Sequence, residues 1–479
     1  MPDSFFTTTA GRRWLEKLIF PAWMPQQRWF AGKARGPRTF TIARQAAFGD
    51  AWLLAVEVAY ATGANDTYLV PLVIGDTSPQ EIARTEDGRS LLDATHDAAF
   101  REGLFRLMAA GATRSGLHGT AGTYLTKAFP TPDAPASRVL SAEQSNSSLI
   151  FGDRLFAKLY RKIVPGINPD TEITRFLSER AQFPNVPAFG GSIEWGEAQL
   201  LLALELRENE GNAWELALRK FQDCLEDPNA IDTWKPLAIL LGRRTGEFHR
   251  ALFDVGAQSD APPAFQPETL DGTALEHLRG EIEAMSGKAE AVLKQVAENH
   301  PAAWATRGFV DWHDLSSEST VRLPTPWRKA LEAAKAIGRE GHVTITRAHG
   351  DYHLGQVLYA GGDFVLIDFE GEPARTLAER RAKQPPIRDV AGMLRSFHYA
   401  AHAARGSTSL EYAELWARAS QQSFLQGWRQ AVTGTAVADE RLLGFYLLEK
   451  LIYEVQYEMN NRPDWLHIPV RGLGAAPQS

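Results

Sequence analysis

Asp351, Gln356, Asp368 and Glu370 are the residues of this chain whose types and spacing most directly suggest chemistry. They lie in His349-Gly350-Asp351-Tyr352-His353-Leu354-Gly355-Gln356 and in Leu366-Ile367-Asp368-Phe369-Glu370. Asp351 precedes Gln356 by five residues, and Asp368 follows twelve residues later, behind the apolar run Phe364-Val365-Leu366-Ile367. A carboxylate held on a loop can accept a hydroxyl proton, and an amide and an acid flanking a short hairpin can hold a cation on phosphate oxygens. Such a set suits phosphoryl transfer to an alcohol, which needs positioning and charge neutralisation more than covalent help. We expect Asp351 to act as the base. Gln356 and Asp368 are expected to ligate Mg2+, which favours hard oxygen donors shared with phosphates. Glu370 either joins the metal shell or orders the loop, and His349 braces it by hydrogen bonding. A polar hairpin with satisfied surface carboxylates is the bland alternative. The amide, the spacing and the Asp-Phe-Glu ending together argue against it.

A phosphoryl donor needs its own cradle. The stretch Glu143-Gln144-Ser145-Asn146-Ser147-Ser148-Leu149-Ile150-Phe151-Gly152-Asp153-Arg154-Leu155-Phe156-Ala157-Lys158 reads as a β-hairpin turning at Gly152-Asp153. Lys158, an amine among apolar strand neighbours, is the candidate partner of a nucleotide's α and β phosphates. Asn168-Pro169-Asp170 starts a helix by capping. Glu172, in its first turns, is expected to pair with Lys158. No glycine-rich loop precedes Lys158. Ser145, Asn146, Ser147 and Ser148 stand in its place, where hydroxyl, amide and backbone N–H groups can donate to phosphate. The run Gln199–Leu204 reads as a buried strand that ends in a hinge at Glu205-Leu206, whose backbone groups are expected to meet adenine.

The acceptor is expected near a C-terminal helix. Leu448, Leu451, Ile452, Val455 and Met459 mark its apolar face, and Lys450, Tyr453, Glu454, Tyr457 and Glu458 the neighbouring one. Tyrosines beside an amine and carboxylates suit a sugar, whose ring faces stack and whose hydroxyls need donors and acceptors. Lys450, Tyr453, Glu454 and Tyr457, with Asp351 and His353 from the loop, are the candidate acceptor contacts. Asp389 opens a helix carrying Val390, Met393, Leu394 and Phe397 at core spacing, and is expected to cap it and to brace the loop 349–356. The segment 371–388, with its prolines and arginines, reads as a loop.

At 479 residues the chain exceeds one comfortable core. We divide it into an α+β unit over 1–105, a nucleotide-binding lobe over 106–210 and a helical lobe over 211–479. In the first unit Trp29 and Phe30 are expected to pack locally. A net charge of -7 gives no electrostatic reason to expect nucleic acid or an anionic membrane. Cys224 is the only cysteine, so intrachain disulfides and a cysteine-based zinc site are excluded. Charges at Arg12, Arg13, Glu16 and Lys17 interrupt any signal-like apolar stretch, and no apolar run reaches the roughly 20 residues that span a bilayer. A cytoplasmic protein is expected.

The chain resembles the bacterial maltokinases, relatives of aminoglycoside phosphotransferases. The resemblance rests on Gln27-Arg28-Trp29-Phe30-Ala31-Gly32-Lys33, Glu143-Gln144-Ser145-Asn146, His349–Gln356, Asp368-Phe369-Glu370-Gly371-Glu372-Pro373, Arg388–Ser396, Tyr453-Glu454 and Asn461-Arg462-Pro463-Asp464-Trp465. It implies an α+β, bilobal protein-kinase-like fold with an N-terminal cap and a mainly helical C-terminal lobe. It further implies that ATP, with Mg2+, phosphorylates maltose at its anomeric hydroxyl to give maltose 1-phosphate for α-glucan synthesis. Association with a trehalose synthase is also implied, although no synthase-sized segment is expected in these residues. Glucosamine or another sugar is the alternative acceptor within the family, since a fold does not settle a substrate. A catalytically silent nucleotide- or glucan-binding subunit is the alternative outside it. Retention of Lys158, Glu172, Asp351, Gln356 and Asp368 speaks against silence.

Overall fold

The computed structural model describes residues 4–36, 38–76, 80–131, 133–140, 145–306, 321–340, 342–404 and 409–474. Glu143 and Gln144 of the resemblance motif lie outside them. The chain forms two compact units, one from residues 1–179 and 187–207, the other from 180–186 and 208–479.

The first unit holds two antiparallel sheets. Strands β1 (Arg38–Phe48), β2 (Ala51–Tyr60), β3 (Asp66–Gly75), β4 (Glu81–Arg84) and β5 (Ser90–Asp93) form a five-stranded sheet in the order β1-β2-β3-β5-β4. Strands β6 (Thr113–Arg114), β7 (Leu117–Ala121), β8 (Ser137–Leu140), β9 (Asn146–Phe151), β10 (Leu155–Tyr160), β11 (Phe189–Trp195) and β12 (Ala198–Glu205) form a seven-stranded sheet, ordered β6-β7-β11-β12-β10-β9-β8. Strand β2 is apolar on both faces because each face meets a different core. Leu53 and Ala55 join Phe100, Phe105, Phe151 and Leu201, whereas Leu54 and Val56 join Phe6, Phe20, Trp29 and Phe30. Phe30 stacks on Tyr68 with ring centroids 5.0 Å apart, so the aromatic cluster packs locally as expected.

The second unit is mainly helical. Helices α3 (Ala213–Glu226), α4 (Ile231–Gly256), α5 (Ile387–Ala404), α6 (Leu410–Val432) and α7 (Leu443–Asn461) supply most of its core; α1 (Ala98–Ala109) and α2 (Pro169–Arg175) belong to the first unit. Helices α4 and α6 approach closely at glycines. A Cβ on Gly242 would collide with the Phe424 carbonyl, and one on Gly427 with the Ile239 carbonyl. Trp234 of α4 stacks on Trp416 of α6 at 5.4 Å and donates to Ser420 Oγ at 2.7 Å. Beside these helices the hairpin Val357–Ala360/Asp363–Leu366 carries the proposed metal ligands at its two ends. The segment 371–388 is less irregular than expected, since Thr376 and Glu379 form a capping box that starts a short helix, Leu377–Arg381.

Candidate active site

In the first unit, Lys158 lies on β10 opposite Ser148 of β9 and Leu202 of β12. The residue is 9% exposed, and its Nζ donates to Asp170 Oδ2 at 2.9 Å. Asp170 stands in the first turn of α2, where Asn168 caps by accepting from the Asp170 N–H at 2.9 Å. The sequence reading named Glu172 as the partner. The structure places Asp170, two residues earlier on the same helix, against the lysine. Asn146, Ser147 and Ser148 are ladder residues of β9 rather than a free loop, with Ser145 exposed just ahead of them. Ser147 Oγ accepts from Arg161 Nε at 2.8 Å, and Ser148 is fully buried. At the expected hinge, the Glu205 N–H donates to the Ala188 carbonyl and the Leu206 N–H to the Arg154 carbonyl. The Glu205 carboxylate pairs with Arg207 at 2.8 Å. The N–H groups of both hinge residues are thus engaged within the unit.

In the second unit the loop 349–356 is held by its own backbone donors. Asp389 accepts from the His349 N–H at 2.8 Å and from the Gly350 N–H at 3.0 Å. Sequence reasoning expected Asp389 both to cap its own helix and to brace the loop; α5 begins two residues earlier, and the carboxylate serves the loop. Behind it, Trp428 Nε1 donates to His249 Nδ1 at 3.0 Å, which leaves His249 Nε2 as the donor to Asp389 at 3.2 Å. Burial opposes ionisation of Asp389, but the His249 hydrogen bond and nearby imidazoles hold its carboxyl below the ordinary value. His349 Nε2 lies 3.0 Å from the Ile367 carbonyl, so that nitrogen carries the proton. Leu354 N–H donates to Ser396 Oγ at 3.1 Å. Gly392 lets α5 lie against this loop, because a Cβ there would fall 2.5 Å from the Tyr352 carbonyl oxygen. His353 Nδ1 accepts from the Gly355 N–H at 3.0 Å. Burial keeps the His353 imidazole neutral to lower pH, partly offset by Asp351.

The expected metal ligands come together through the hairpin. The Ile367 N–H donates to the Gln356 carbonyl at 3.1 Å, which brings Gln356 beside the residue preceding Asp368. Asp368 has φ of 68°, a left-handed conformation that is rare outside glycine and better tolerated by Asp and Asn. Phe369 packs on Phe248 at 5.6 Å and on His349 at 4.9 Å, which anchors the turn. Carboxylate oxygens of Asp368 and Glu370 lie within 4.8 Å of each other. An all-oxygen donor set of this kind suits Mg2+.

Asp351 meets Lys450 of α7. Lys450 Nζ lies 3.4 Å from Asp351 Oδ1 and 2.9 Å from Glu372 Oε1. Burial opposes the charge on this amine, but Asp351 and Glu372 together raise its pKa well above the usual lysine range. Glu372 also accepts from Arg375 at 2.7 Å. Tyr453 and Tyr457 stack on each other at 6.3 Å and stay 38% and 43% exposed, with Lys450 Nζ 5.1 Å from the Tyr453 ring centroid. Glu454 departs from expectation. It is 8% exposed and accepts from Arg395 Nε at 2.9 Å and Nη2 at 2.6 Å, so it braces α7 against α5 instead of facing a ligand. Glu458 is likewise buried, bound to Arg462 at 2.6 Å and Tyr399 at 3.1 Å. Sequence reasoning missed Glu372, His249 and Trp428. Only Glu372, just beyond Asp368-Phe369-Glu370, carried a signal that could have found it.

Residues 23–97 match the maltokinase N-terminal cap domain. Over 364 residues the chain is 23% identical to a glucosamine kinase of Mycolicibacterium smegmatis, covering 74% of this chain and 83% of that protein. It is 25% identical over 361 residues to a glucosamine kinase of Streptacidiphilus jiangxiensis, covering 72% and 75%. A solved glucosamine kinase (crystal form B) aligns with a TM-score of 0.65 at 19% identity over 95% of this chain and 97% of that one. A second, in complex with glucosamine, ADP and inorganic phosphate, gives 0.61 at 20% identity over 91% and 93%. At such identities the likeness speaks for the fold. The chain has the kinase-like α+β fold of these structures, with β-sheets in its N-terminal part and helices in its C-terminal part.

Proposed function

We propose that the chain is a sugar kinase that moves the terminal phosphoryl group of ATP to a hydroxyl of a neutral sugar, maltose at its anomeric oxygen. The observation that carries this reading is the Asp351–Lys450–Glu372 cluster. Asp351 takes the hydroxyl proton as the oxygen attacks phosphorus. Lys450, 3.4 Å from Asp351, holds the carboxylate in place and offers positive charge where negative charge develops. Lys158 takes the α and β phosphates, and Gln356 and Asp368, with Glu370, would hold Mg2+. When bound, that ion neutralises phosphate charge.

Two observations support a neutral acceptor. Glu454 and Glu458, the carboxylates of α7 suited to meet an ammonium, are bound to Arg395 and Arg462. The group nearest Asp351 on that helix is itself a cation. The cap match to maltokinases supports maltose within that class. Glucosamine is the second reading, favoured by the glucosamine kinases that align over most of the chain. A panel of maltose, glucosamine and glucose with ATP and Mg2+ separates the two by kcat/KM, and phosphorus NMR locates the new phosphate. Efficient glucosamine turnover without maltose turnover overturns the neutral-acceptor reading. A maltose product phosphorylated on a primary hydroxyl overturns the anomeric placement. Association with a trehalose synthase belongs to the same reading and is tested by co-purification. No helix among the described residues is long and apolar enough to cross a membrane, and we assign the activity to the cytoplasm.

A further inference from the structure

Away from the catalytic loop, α5 and α6 carry a side-chain cluster that the proposed reaction does not use. His398 and His402 stand four residues apart on α5, so their side chains share a face. Glu414 of α6 faces them, its Oε1 lying 3.4 Å from His398 Nε2 and 3.0 Å from His402 Nε2. The imidazole centroids are 4.4 Å apart. One ligand atom from each residue can be chosen so that all lie within 4.8 Å of one another.

Both histidines are buried, at 2% and 4% exposure. Burying an imidazole nitrogen without a partner costs free energy, and histidines in helical cores usually satisfy at least one. Here both ring nitrogens of His398, and Nδ1 of His402, lack a hydrogen-bond partner among the described residues. One Glu414 oxygen serves two rings and cannot satisfy them equally. A cation placed among the three groups would supply what each ring lacks. The spacings suit it, since ligands about 2.0–2.2 Å from a tetrahedral ion lie roughly 3.3–3.6 Å from each other. Two imidazoles and a carboxylate match Zn2+ or a similar borderline-soft ion better than Mg2+, which favours oxygen.

We infer that His398, His402 and Glu414 form a transition-metal site, Zn2+ by chemistry, with a fourth position open to water on the half-exposed Glu414 side. It is distinct from the Mg2+ ligands proposed on the hairpin. The ion fastens α5 to α6. Because α5 also carries Asp389 and Ser396, which hold the catalytic loop, metal loading stabilises the lobe that presents the base.

The test uses the full chain stripped with a chelator and titrated with Co2+ alone, without nucleotide or Mg2+. The expected result is one equivalent of Co2+ with the intense visible bands of a tetrahedral nitrogen-containing site, displaced by Zn2+ and retained in Asp368→Asn. His402→Gln and Glu414→Gln should each weaken binding by about 100-fold or more, beyond the usual loss from removing an outer-shell partner. Glu414→Gln guards against misfolding, because it keeps the size of the side chain and lies at the half-exposed edge; circular dichroism checks its fold. Wild-type protein that takes up no stoichiometric Co2+, or folded Glu414→Gln that binds it as tightly as wild type, overturns the inference. A visible signal lost in Asp368→Asn and kept in Glu414→Gln also overturns it, by assigning the ion to the hairpin.

Discussion

The loop 349–356, which we propose presents the base, and the outer turns of α7 belong to the same unit, and they are built on opposite principles. Most polar contacts of the loop are closed inward: two backbone N–H groups on Asp389, His349 on the Ile367 carbonyl, Leu354 on Ser396, and the Tyr352 hydroxyl 2.8 Å from Thr245 Oγ1. On α7 Glu454 and Glu458 are equally closed, on Arg395 and Arg462, but Tyr453 and Tyr457 face outward. A base must be held within tenths of an ångström of its reacting proton, whereas a wall that stacks on a ring can adapt. Lys450 joins the two regions through Asp351. The comparison implies that damage to the loop falls on kcat and damage to α7 on KM.

The largest effect should come from Asp351→Asn. The variant keeps the loop contacts and loses the proton acceptor, and general-base assistance is worth roughly 10²–10⁴-fold. Nucleotide affinity, read by calorimetry, should be nearly unchanged. Near-wild-type kcat in a folded variant would move the base elsewhere and dissolve the contrast. Asp368→Asn comes next, with a loss of roughly 10²–10³-fold, the scale of removing one preorganised electrostatic contact. Asn tolerates the left-handed backbone at this position, so its melting temperature should stay at the wild-type value. A large drop in stability would mean that Asp368 is chiefly structural.

How much of this contrast was legible in the sequence depends on the range of each interaction. The hairpin bearing Lys158, the Asn168 cap and the ladder behind Gln356 and Asp368 follow from alternation, capping and turn chemistry within short windows, and the structure contains them. Periodicity also marked the face shared by Lys450, Tyr453 and Tyr457. It could not say how a side chain at the edge of that face turns. Glu454 reads like its neighbours, yet Arg395 captures it from 59 residues away. The same limit applies to Asp170, which sits in the same capped turn as Glu172 and meets Lys158 through packing that no local signal announces. Asp389 was recognised as a bracing residue, but its donors lie 39 and 40 residues upstream, so its service to the loop had no local signal. Glu372 escaped because its role depends on Lys450, 78 residues on.

Asp389→Asn tests the closed character of the loop at smaller amplitude. An amide can accept one of the backbone N–H bonds but would turn an NH2 group towards another donor, and a buried unsatisfied group costs about 1–3 kcal/mol. The carboxyl titrates below its ordinary 3.8 in the folded state, so its contribution is present above that pH and fades as pH falls through the folded value. The Asn variant should therefore be less stable than wild type near neutrality, and the difference should narrow in acid. A gap that persists unchanged at low pH would show that the charge of Asp389 is not what holds the loop.

The smallest expected effect is that of Tyr457→Ala. The residue is exposed, stacked on Tyr453, and lies under Arg462, whose guanidinium is 5.3 Å from its ring centroid. Removing an exposed ring should barely alter folding, so any change in kinetics reports on the acceptor. Aromatic contacts of this kind are worth about 0.5–1.5 kcal/mol, which corresponds to a rise in sugar KM of roughly two- to tenfold. Because the ring stands away from Asp351 in sequence register, one turn beyond Tyr453 and two beyond Lys450, it should matter more for a disaccharide than for a monosaccharide. The informative measurement is the ratio of KM changes for maltose and glucose in the same variant. A rise for maltose alone, with kcat intact, sharpens the division between a fixed base and an adaptable wall. Equal changes for both sugars would place Tyr457 against the first ring, and unchanged constants for both would remove it from the acceptor site.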